Sequence, residues 1–241
     1  MDLLAASIAT TFGLARDGRI AFENEPGQPP GPRLFLAGCR DGNRVVVRHD
    51  VGEETARAIA ALVDREPPWV DPGTDPACLQ DVLGLLGRET AVESVSRSLV
   101  YSLPHALPFD PAIRMVHSDT AEGLGWLAGL VRTGLPKHLL EAGFLGPEDF
   151  WAPWCVALEG EDVAAMAFAA RIGSRAAETG VHTFPGYRGR GLAATVTAAW
   201  SSLAELADRP LFYSTQTTNL SSQRVAARLG LPLFGAGVRV S

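Results

Sequence analysis

Cysteine and histidine are scarce in this sequence, and the few that occur are scattered. The 241 residues include three cysteines, Cys39, Cys78 and Cys155, without a C-x-x-C pair, and five histidines that form no cluster. This distribution argues against a disulfide framework and gives no metal-binding pattern, so we expect reduced thiols, no bound metal and a cytoplasmic protein. No apolar run approaches the roughly 20 residues of a membrane-spanning helix, so no membrane association is expected.

Positive charge is also limited, and its distribution along the chain is uneven. The formal net charge is −6, and all of it falls in residues 1–110, because acids and bases balance in residues 111–241. No acidic residue follows Asp208, and four arginines occur in that final stretch: Arg209, Arg224, Arg228 and Arg239. The local field at the C-terminal end is therefore positive, but the whole chain has too little positive charge for a nucleic-acid-binding protein.

A proline-rich segment divides the sequence. With 46% apolar residues the chain can bury a large core, and three prolines interrupt it at "LPHALPFDP", residues 103–111. We expect an α/β (α+β) protein with a smaller mixed α/β domain of unassigned role at residues 1–105 and a second domain at 111–241. The first domain is predicted to contain a hairpin turning at Asp41-Gly42-Asn43 and a helix over 53–63, followed by a short helix near 77–87 and a strand over 91–103.

The second half alternates strand and helix patterns. A strand is predicted at 113–117, followed by a helix with Ser118 or Asp119 as its N-cap. Two apolar runs at 154–160 and 163–173 are typical of a hairpin. The remaining predicted elements are a strand at 177–184, a helix from Leu192, a strand at 210–216, a helix started by Asn219 and ended by Gly230, and a last strand at 233–240.

The stretch "GYRGRGLAA", residues 186–194, places two arginines between three glycines just before a predicted helix. A strand that ends in glycines and opens a helix directs backbone N–H groups and the positive end of the helix dipole to one point, which favours an anion such as phosphate. The alternative is an ordinary glycine-rich turn with exposed arginines, because short glycine patterns often occur without a ligand.

This stretch fits the dinucleotide-binding fingerprint G-x-G-x-x-A in form, as Gly189-x-Gly191-x-x-Ala194. That fingerprint also requires a carboxylate at the end of the next strand, about 20 residues on. Here the next strand ends in Gln216, and only 50 residues follow Gly191, too few for the rest of a doubly wound sheet. The dinucleotide interpretation therefore fails twice.

The same residues match the loop motif of a second family better. Arg188-x-x-Gly191-x-Ala193 resembles the pyrophosphate loop of the GNAT superfamily of acetyl-CoA-dependent N-acyltransferases, whose pattern is Q/R-x-x-G-x-G/A. A strand with a carboxylate precedes it, and the features that mark the last helix in this superfamily follow it at Asn219, Ser222 and Leu229-Gly230. The resemblance covers roughly residues 111–241 and does not extend to the first 105. It implies a GNAT fold with a mixed, splayed central sheet.

The resemblance also implies a binding site for acetyl-CoA. Backbone amides from the loop would hold the pyrophosphate, the strand before it would pair with the pantetheine arm, and the last helix would lie near the sulfur. The implied cofactor-binding residues are Val181, His182, Thr183, Arg188, Gly189, Arg190, Gly191, Leu192, Ala193, Asn219 and Ser222. One departure is that the tyrosine that many members use to protonate the leaving thiolate is Ala226 here, so the acid is unassigned. Ser222, acting through a water, is a candidate, and a packing or capping serine is the alternative.

The predicted base is Glu178. An amine attacks a thioester only as the free base, and an amine with a pKa near 10.4 is only about one part in a thousand neutral at physiological pH, so a carboxylate must take its proton. Glu178 lies ten residues before Arg188, close to where the superfamily places its glutamate. Strand alternation puts it on the same face as His182, which would orient the carboxylate or share the proton's path.

These features together predict an acetyl-CoA-dependent N-acetyltransferase that moves an acetyl group to a primary amine by direct attack in a ternary complex. The acceptor would be a small molecule or a peptide, and a homo-oligomer is compatible with the sequence. The alternative is a non-catalytic acyl-CoA-binding sensor or structural module. The missing tyrosine favours that alternative, and Glu178 argues against it.

Overall fold

Residues 2–241 are described by a computed structural model, and within them nine strands from both halves of the sequence form one sheet. The strands are β1 (Phe12–Leu14), β2 (Ile20–Glu23), β3 (Leu34–Cys39), β4 (Gly42–Val47), β5 (Val95–Leu103), β6 (Arg114–His117), β7 (Trp154–Glu159), β8 (Asp162–Ile172), β9 (Ala177–Thr183), β10 (Leu211–Gln216) and β11 (Leu233–Val240). The α-helices are α1 (Leu3–Thr11), α2 (Glu53–Val63), α3 (Leu79–Glu89), α4 (Ala121–Thr133), α5 (Lys137–Glu141), α6 (Leu192–Trp200) and α7 (Leu220–Arg228). The expected mixed α/β class is confirmed.

The large sheet has the order β4-β3-β11-β5-β10-β9-β8-β7-β6, and β1 and β2 form a separate hairpin. Every neighbouring pair in the large sheet is antiparallel except β9 and β10. Helix α6 packs on β7, β8 and β9 and supplies much of one core, in which Val196 and Trp200 are fully buried. Helices α2 and α3 cover β3 and β11 around a second core. No helix within residues 2–241 combines the length and apolar composition needed to cross a bilayer.

The central sheet is splayed between β9 and β10, as expected. The two strands run parallel and in register only for three pairs, the last of which joins Thr179 to Tyr213. Beyond these pairs the strands separate, so residues 180–183 have no strand partner on that side, while β8 still pairs with β9 up to Thr183. The sheet therefore opens into a cleft directly after Thr179.

Strand β5 connects the two halves of the sequence. It lies between β10 and β11 and is antiparallel to both, and β11 in turn pairs with β3. The sheet thus crosses the proline-rich segment at 103–111, which begins where β5 ends. The division into domains at 1–105 and 111–241 stays a prediction.

Two local details differ from the predictions. In the β3–β4 hairpin Cys39 pairs with Gly42, so the turn is Arg40-Asp41, slightly earlier than expected. The N-cap of α4 is Thr120, not Ser118 or Asp119, because its Oγ accepts a hydrogen bond of 3.0 Å from the N–H three residues on. Ser118 and Asp119 instead accept hydrogen bonds from the N–H groups of Trp154 and Ala204, at 3.0 and 3.1 Å, and so attach this segment to its neighbours.

Candidate functional site

A cavity of about 720 Å³ occupies the cleft where β9 and β10 separate. Its walls are the end of β9, the glycine-rich loop, the start of α6 and one face of α7. It is lined by all of the residues predicted as a site except Glu178 and Arg190, namely Val181, His182, Thr183, Arg188, Gly189, Gly191, Leu192, Ala193, Asn219 and Ser222. The fold therefore brings the loop and the last helix, separate in the sequence, around one space.

The glycine-rich loop presents unpaired amides to this cavity. Gly189 and Gly191 have φ angles of 77° and 83°, in the left-handed region that glycine adopts without strain, and Gly191 is the N-cap of α6. In residues 2–241, no acceptor bonds any of the six amide N–H groups of residues 188–193. The first N–H groups of a helix lack partners within the helix, and the dipole adds positive potential there. The loop is therefore suited to hold an anion with several charged oxygens.

Arginine side chains add positive charge to the same wall. Arg188, Arg224 and Arg228 line the cavity, and none of them forms an ion pair within residues 2–241. The Arg228 guanidinium lies against Gly191, since a Cβ built on that glycine would be 2.7 Å from the Arg228 Cζ. Three uncompensated guanidinium groups near six free amides indicate an anionic ligand such as a phosphate.

The side chain of Arg190 is directed away from the cavity. Its guanidinium pairs with Glu159 at 2.6 Å and lies over the Tyr187 ring, 5.8 Å from the centroid. Its amide belongs to the row at 188–193, so the assignment of Arg190 to cofactor binding stays a prediction for the main chain, whereas its side chain adds no unpaired charge to the cavity. The guanidinium that lies beside the loop is that of Arg228 on α7.

Glu178 lies at the closed end of the cleft, in register with Phe212, and not on the cavity wall. The residue is 6% exposed. Oε1 accepts hydrogen bonds from Arg171, at 2.8 Å, and from Ser214, whereas Oε2 accepts none from the described residues. One oxygen is thus fixed by two donors and the other is free to accept a proton.

The Arg171 partner belongs to a partly buried ionic cluster that joins the two halves of the sequence. Arg171 also pairs with Glu25 and, at 3.7 Å, with Glu23, which in turn binds Arg239. Burial alone would lower the pKa of Arg171, but the Glu178, Glu25 and Glu23 carboxylates together raise it above the ordinary arginine value. The cluster contains three carboxylates and two guanidinium groups, so one negative charge is in excess.

His182 lines the cavity, but the structure does not bring it to Glu178. Positions four apart on a strand are separated by about 13 Å, so the two side chains share a face without a hydrogen bond. The expectation that His182 orients the carboxylate is corrected accordingly. Burial lowers the pKa of His182, and the charge of Arg188 lowers it further. The imidazole is therefore neutral at physiological pH, and its buried Nε2 has no protein partner, so it can exchange a proton with a ligand.

The start of α7 forms the remaining wall. The Asn219 side chain caps the helix by accepting a hydrogen bond of 3.1 Å from the N–H of Ser222. The Ser222 hydroxyl is 2.6 Å from the hydroxyl of Tyr213, which rises from β10 and also lines the cavity. The Thr183 Oγ1 across the cleft is buried without a partner. Polar groups thus continue along the cavity beyond the cationic loop, which fits a long ligand with an anionic end and a polar chain.

Seven residues that line the cavity were not assigned to the site in the sequence analysis: Tyr187, Ala194, Tyr213, Ser221, Arg224, Val225 and Arg228. The run without acids after Asp208 contained a signal for the two arginines, because positions 224 and 228 share one face of a helix. The signal for Tyr213 is weaker, since it consists only of a tyrosine in the strand that precedes the last helix.

A family model and several solved structures are similar to this chain. The family model of the GNAT acetyltransferases matches residues 138–234. Similar solved structures include a GNAT-family acetyltransferase from Novosphingobium aromaticivorans, with 22% identity, 62% of this chain and 65% of that one covered, and a TM-score of 0.41. The alignment thus spans just under two thirds of that protein.

Two further structures cover more of both chains. A GCN5-related N-acetyltransferase-like protein from Streptococcus suis is 16% identical over 100% of both chains, with a TM-score of 0.45. A tandem GNAT protein from the clavulanic acid biosynthesis pathway is 14% identical over 99% of this chain and 92% of its own, with a TM-score of 0.44. No curated protein sequence matches the chain. Residues 138–234, which include the splayed strands and the glycine-rich loop, match the GNAT acetyltransferase domain.

Proposed function

We propose that this protein is an acetyl-CoA-dependent N-acetyltransferase that transfers an acetyl group to a primary amine of a small molecule or peptide. The observation that carries the proposal is the row of six unpaired amides at 188–193, which opens onto the cavity beside three arginines without ion pairs. A GNAT domain with such a row is suited to a donor that has a diphosphate at one end and a thioester at the other.

The cavity residues suit successive parts of acetyl-CoA. The diphosphate fits the loop amides and the guanidinium groups of Arg188 and Arg228. The amide-containing pantetheine arm fits the edge of β9 at 181–183, which has no strand partner on that side, although Arg188 Nε donates a hydrogen bond of 3.2 Å to the Thr183 carbonyl oxygen. There the arm would continue the sheet as an added strand. The thioester then reaches the end of the cleft, where β9 and β10 join and where Ser222 and Tyr213 lie.

The acceptor amine must be neutral before it attacks. In our proposal Glu178 takes the proton that the amine loses, through its free Oε2 and an intervening water, because the carboxylate does not line the cavity itself. The ion pair with Arg171 and the hydrogen bond from Ser214 fix the orientation of the carboxylate. Glu23 and Glu25 place further negative charge beside it, which favours a cationic acceptor and assigns residues 1–105 a part in the acceptor site.

A screen of amines tests this function. Each amine is incubated with acetyl-CoA and the purified protein, and release of free thiol is followed. The proposal predicts thiol release that depends on one chemical class of amine and on the protein. Tight binding of acetyl-CoA without amine-dependent thiol release would support the acyl-CoA-binding module instead, and a larger thermal shift with NAD than with CoA would contradict the cofactor assignment.

Arg228 provides a test of the anionic end of the site. We expect Arg228→Met to weaken acetyl-CoA binding about 10-fold in calorimetric titrations, because a charge-assisted hydrogen bond to phosphate contributes about 1.5–3 kcal/mol. Raising the salt concentration should reduce the difference in acetyl-CoA affinity between the parent and Arg228→Met, since exposed charges are screened. The matched control is Arg132→Met in the last turn of α4, which removes the same charge from an exposed position outside the cavity. An equal loss of acetyl-CoA affinity in both variants would contradict a specific contact between Arg228 and the ligand.

A further inference from the structure

The proposed reaction leaves one proton unassigned. When an amine attacks the thioester, a C–N bond forms, the C–S bond breaks, and the electron pair of that bond leaves on sulfur. A hydrogen-bond donor that is already in place stabilises this charge as it develops, and a proton then completes the thiol. The helix position that supplies a tyrosine in many GNAT members is Ala226 here, so the donor must come from elsewhere in the cavity.

Tyr213 and Ser222 form a pair of hydroxyl groups at the required end of the cavity. The Tyr213 hydroxyl is 2.6 Å from the Ser222 Oγ and 3.2 Å from the Ser222 carbonyl oxygen. Both residues line the cavity, although the Tyr213 side chain is only 1% exposed. The ring comes from β10, one residue before the Ser214 that binds Glu178, so the pair lies close to the point where the two strands meet.

The small residue at 226 is consistent with a tyrosine that enters from the strand. Ala226 lies one turn after Ser222 on α7, so both face the same side of the helix. Ala226 is fully buried in the same core cluster as the Tyr213 ring. Because alanine adds only a methyl group, position 226 leaves space for a phenol that approaches from β10.

We propose that Ser222 is the direct donor to the departing sulfur and that Tyr213 is the positioning residue that orients Ser222 and restores its proton. This inference rests on the proposed acetyl transfer. As the C–S bond breaks, the Ser222 hydroxyl gives its proton to sulfur and receives the Tyr213 proton, and solvent reprotonates the phenol. Glu178 takes the proton lost by the amine and then releases it to solvent, which balances the proton that solvent gives to the phenol, so the net reaction converts an amine and a thioester into an amide and a thiol.

The ionisation of Tyr213 agrees with this role. Burial raises the pKa of Tyr213, while the hydrogen bond with Ser222 acts in the opposite direction. The phenol is therefore protonated throughout the physiological pH range and available as a donor. A purely structural role, in which the hydroxyl pair only fastens α7 to the sheet, is the alternative that an experiment must distinguish.

The test measures the pKa of the CoA thiol bound to the protein, from thiolate absorbance during a pH titration. A free thiol has a pKa of about 8.5, and a donor at sulfur stabilises the thiolate. We expect a lower pKa for CoA bound to the parent, and an upward shift of about one unit in both Tyr213→Phe and Ser222→Ala, because each change removes part of the donor chain. With the amine found in the screen, both variants should lose about 10²-fold in kcat with little change in KM for acetyl-CoA.

The matched control is Tyr101→Phe. Tyr101 lies on β5 with its ring 6.4 Å from that of Tyr213, but it does not line the cavity and its hydroxyl bonds no group in the described residues. This variant should keep the parental thiol pKa and kcat. Thermal melts of the three variants check folding, and Ser222→Ala still tests the donor if Tyr213→Phe is unstable.

Each result then decides between the interpretations. A Tyr213→Phe protein that binds CoA with the parental thiol pKa would overturn the inference and leave the hydroxyl pair a structural contact, even if Ser222→Ala shifts that pKa. Failure of the parent to bind CoA would overturn the proposed function and this inference together. Binding with an unshifted thiol pKa in the parent would overturn the inference alone.

Discussion

Gly191→Val is expected to reduce acetyl-CoA binding by at least about 10²-fold. Gly191 has a φ of 83°, which costs a β-branched residue about 1–3 kcal/mol, and it lies within the row of free amides as the N-cap of α6. A Cβ there would also lie 2.7 Å from the Arg228 guanidinium and displace it. The change thus alters both the main-chain donors and the neighbouring cation, and calorimetric titration with acetyl-CoA measures the result.

The same loop provides a matched control. Gly186 has no positive φ, and a Cβ built on it meets no atom within 4 Å. Gly186→Val should therefore bind acetyl-CoA within about twofold of the parent, and thermal melts of both variants separate lost binding from lost folding. If Gly191→Val is folded and binds like the parent, the loop does not hold the phosphates.

Glu178→Gln is expected to lower kcat by about 10²- to 10⁴-fold with little change in acetyl-CoA affinity. This loss corresponds to about 3–5.5 kcal/mol of transition-state free energy. Glutamine keeps the shape and the hydrogen bond to Ser214 but cannot take a proton. The ionic cluster then contains two carboxylates and two guanidinium groups. The substitution thus balances the charge of the cluster and should not unfold the protein. The defect should shrink as pH rises, because more of the amine is already neutral.

Two comparisons define what Glu178 does. Glu25→Gln removes a carboxylate from the same cluster and the same Arg171 partner but leaves the proton acceptor in place, so it should raise KM for a cationic amine and retain kcat at saturating amine within about twofold. His182→Gln should reduce kcat less than Glu178→Gln does. An equal or larger loss in His182→Gln would assign the base to the histidine, which lines the cavity and is neutral. Parental turnover in Glu178→Gln between pH 6 and 9 would remove Glu178 from the mechanism.

Local patterns in the sequence were sufficient to predict most elements of the C-terminal half. The loop at 186–194 was interpreted correctly as a strand-to-helix turn because glycine positions and helix starts depend on neighbouring residues. Strands β9 and β10, helix α7 and strand β11 were predicted for the same reason, and the helix over 53–63 agrees with α2 residue for residue. Helix α1 was not predicted, because "LLAASIATT" is apolar on all sides and lacks a clear helical period.

Pairings across the chain could not be predicted in this way. Alternation along β5 shows which residues are buried but not which strands lie beside it, so its position between β10 and β11 required the structure. The same limit explains why the sequence did not show which arginine side chains lie beside the loop. Arg190 belongs to the loop that resembles the pyrophosphate loop, but the sequence does not show that its side chain pairs with Glu159, or that Arg228 reaches the loop from a helix more than 30 residues later.

The central claim is that the amides of residues 188–193 hold the diphosphate of acetyl-CoA, and a crystal structure of the complex tests it most directly. The account predicts diphosphate oxygens within about 3 Å of several of these amide nitrogens. The pantetheine arm should lie along 181–183 and the sulfur beside Ser222. Acetyl-CoA bound at another surface, or with its phosphates away from this loop, would contradict the account.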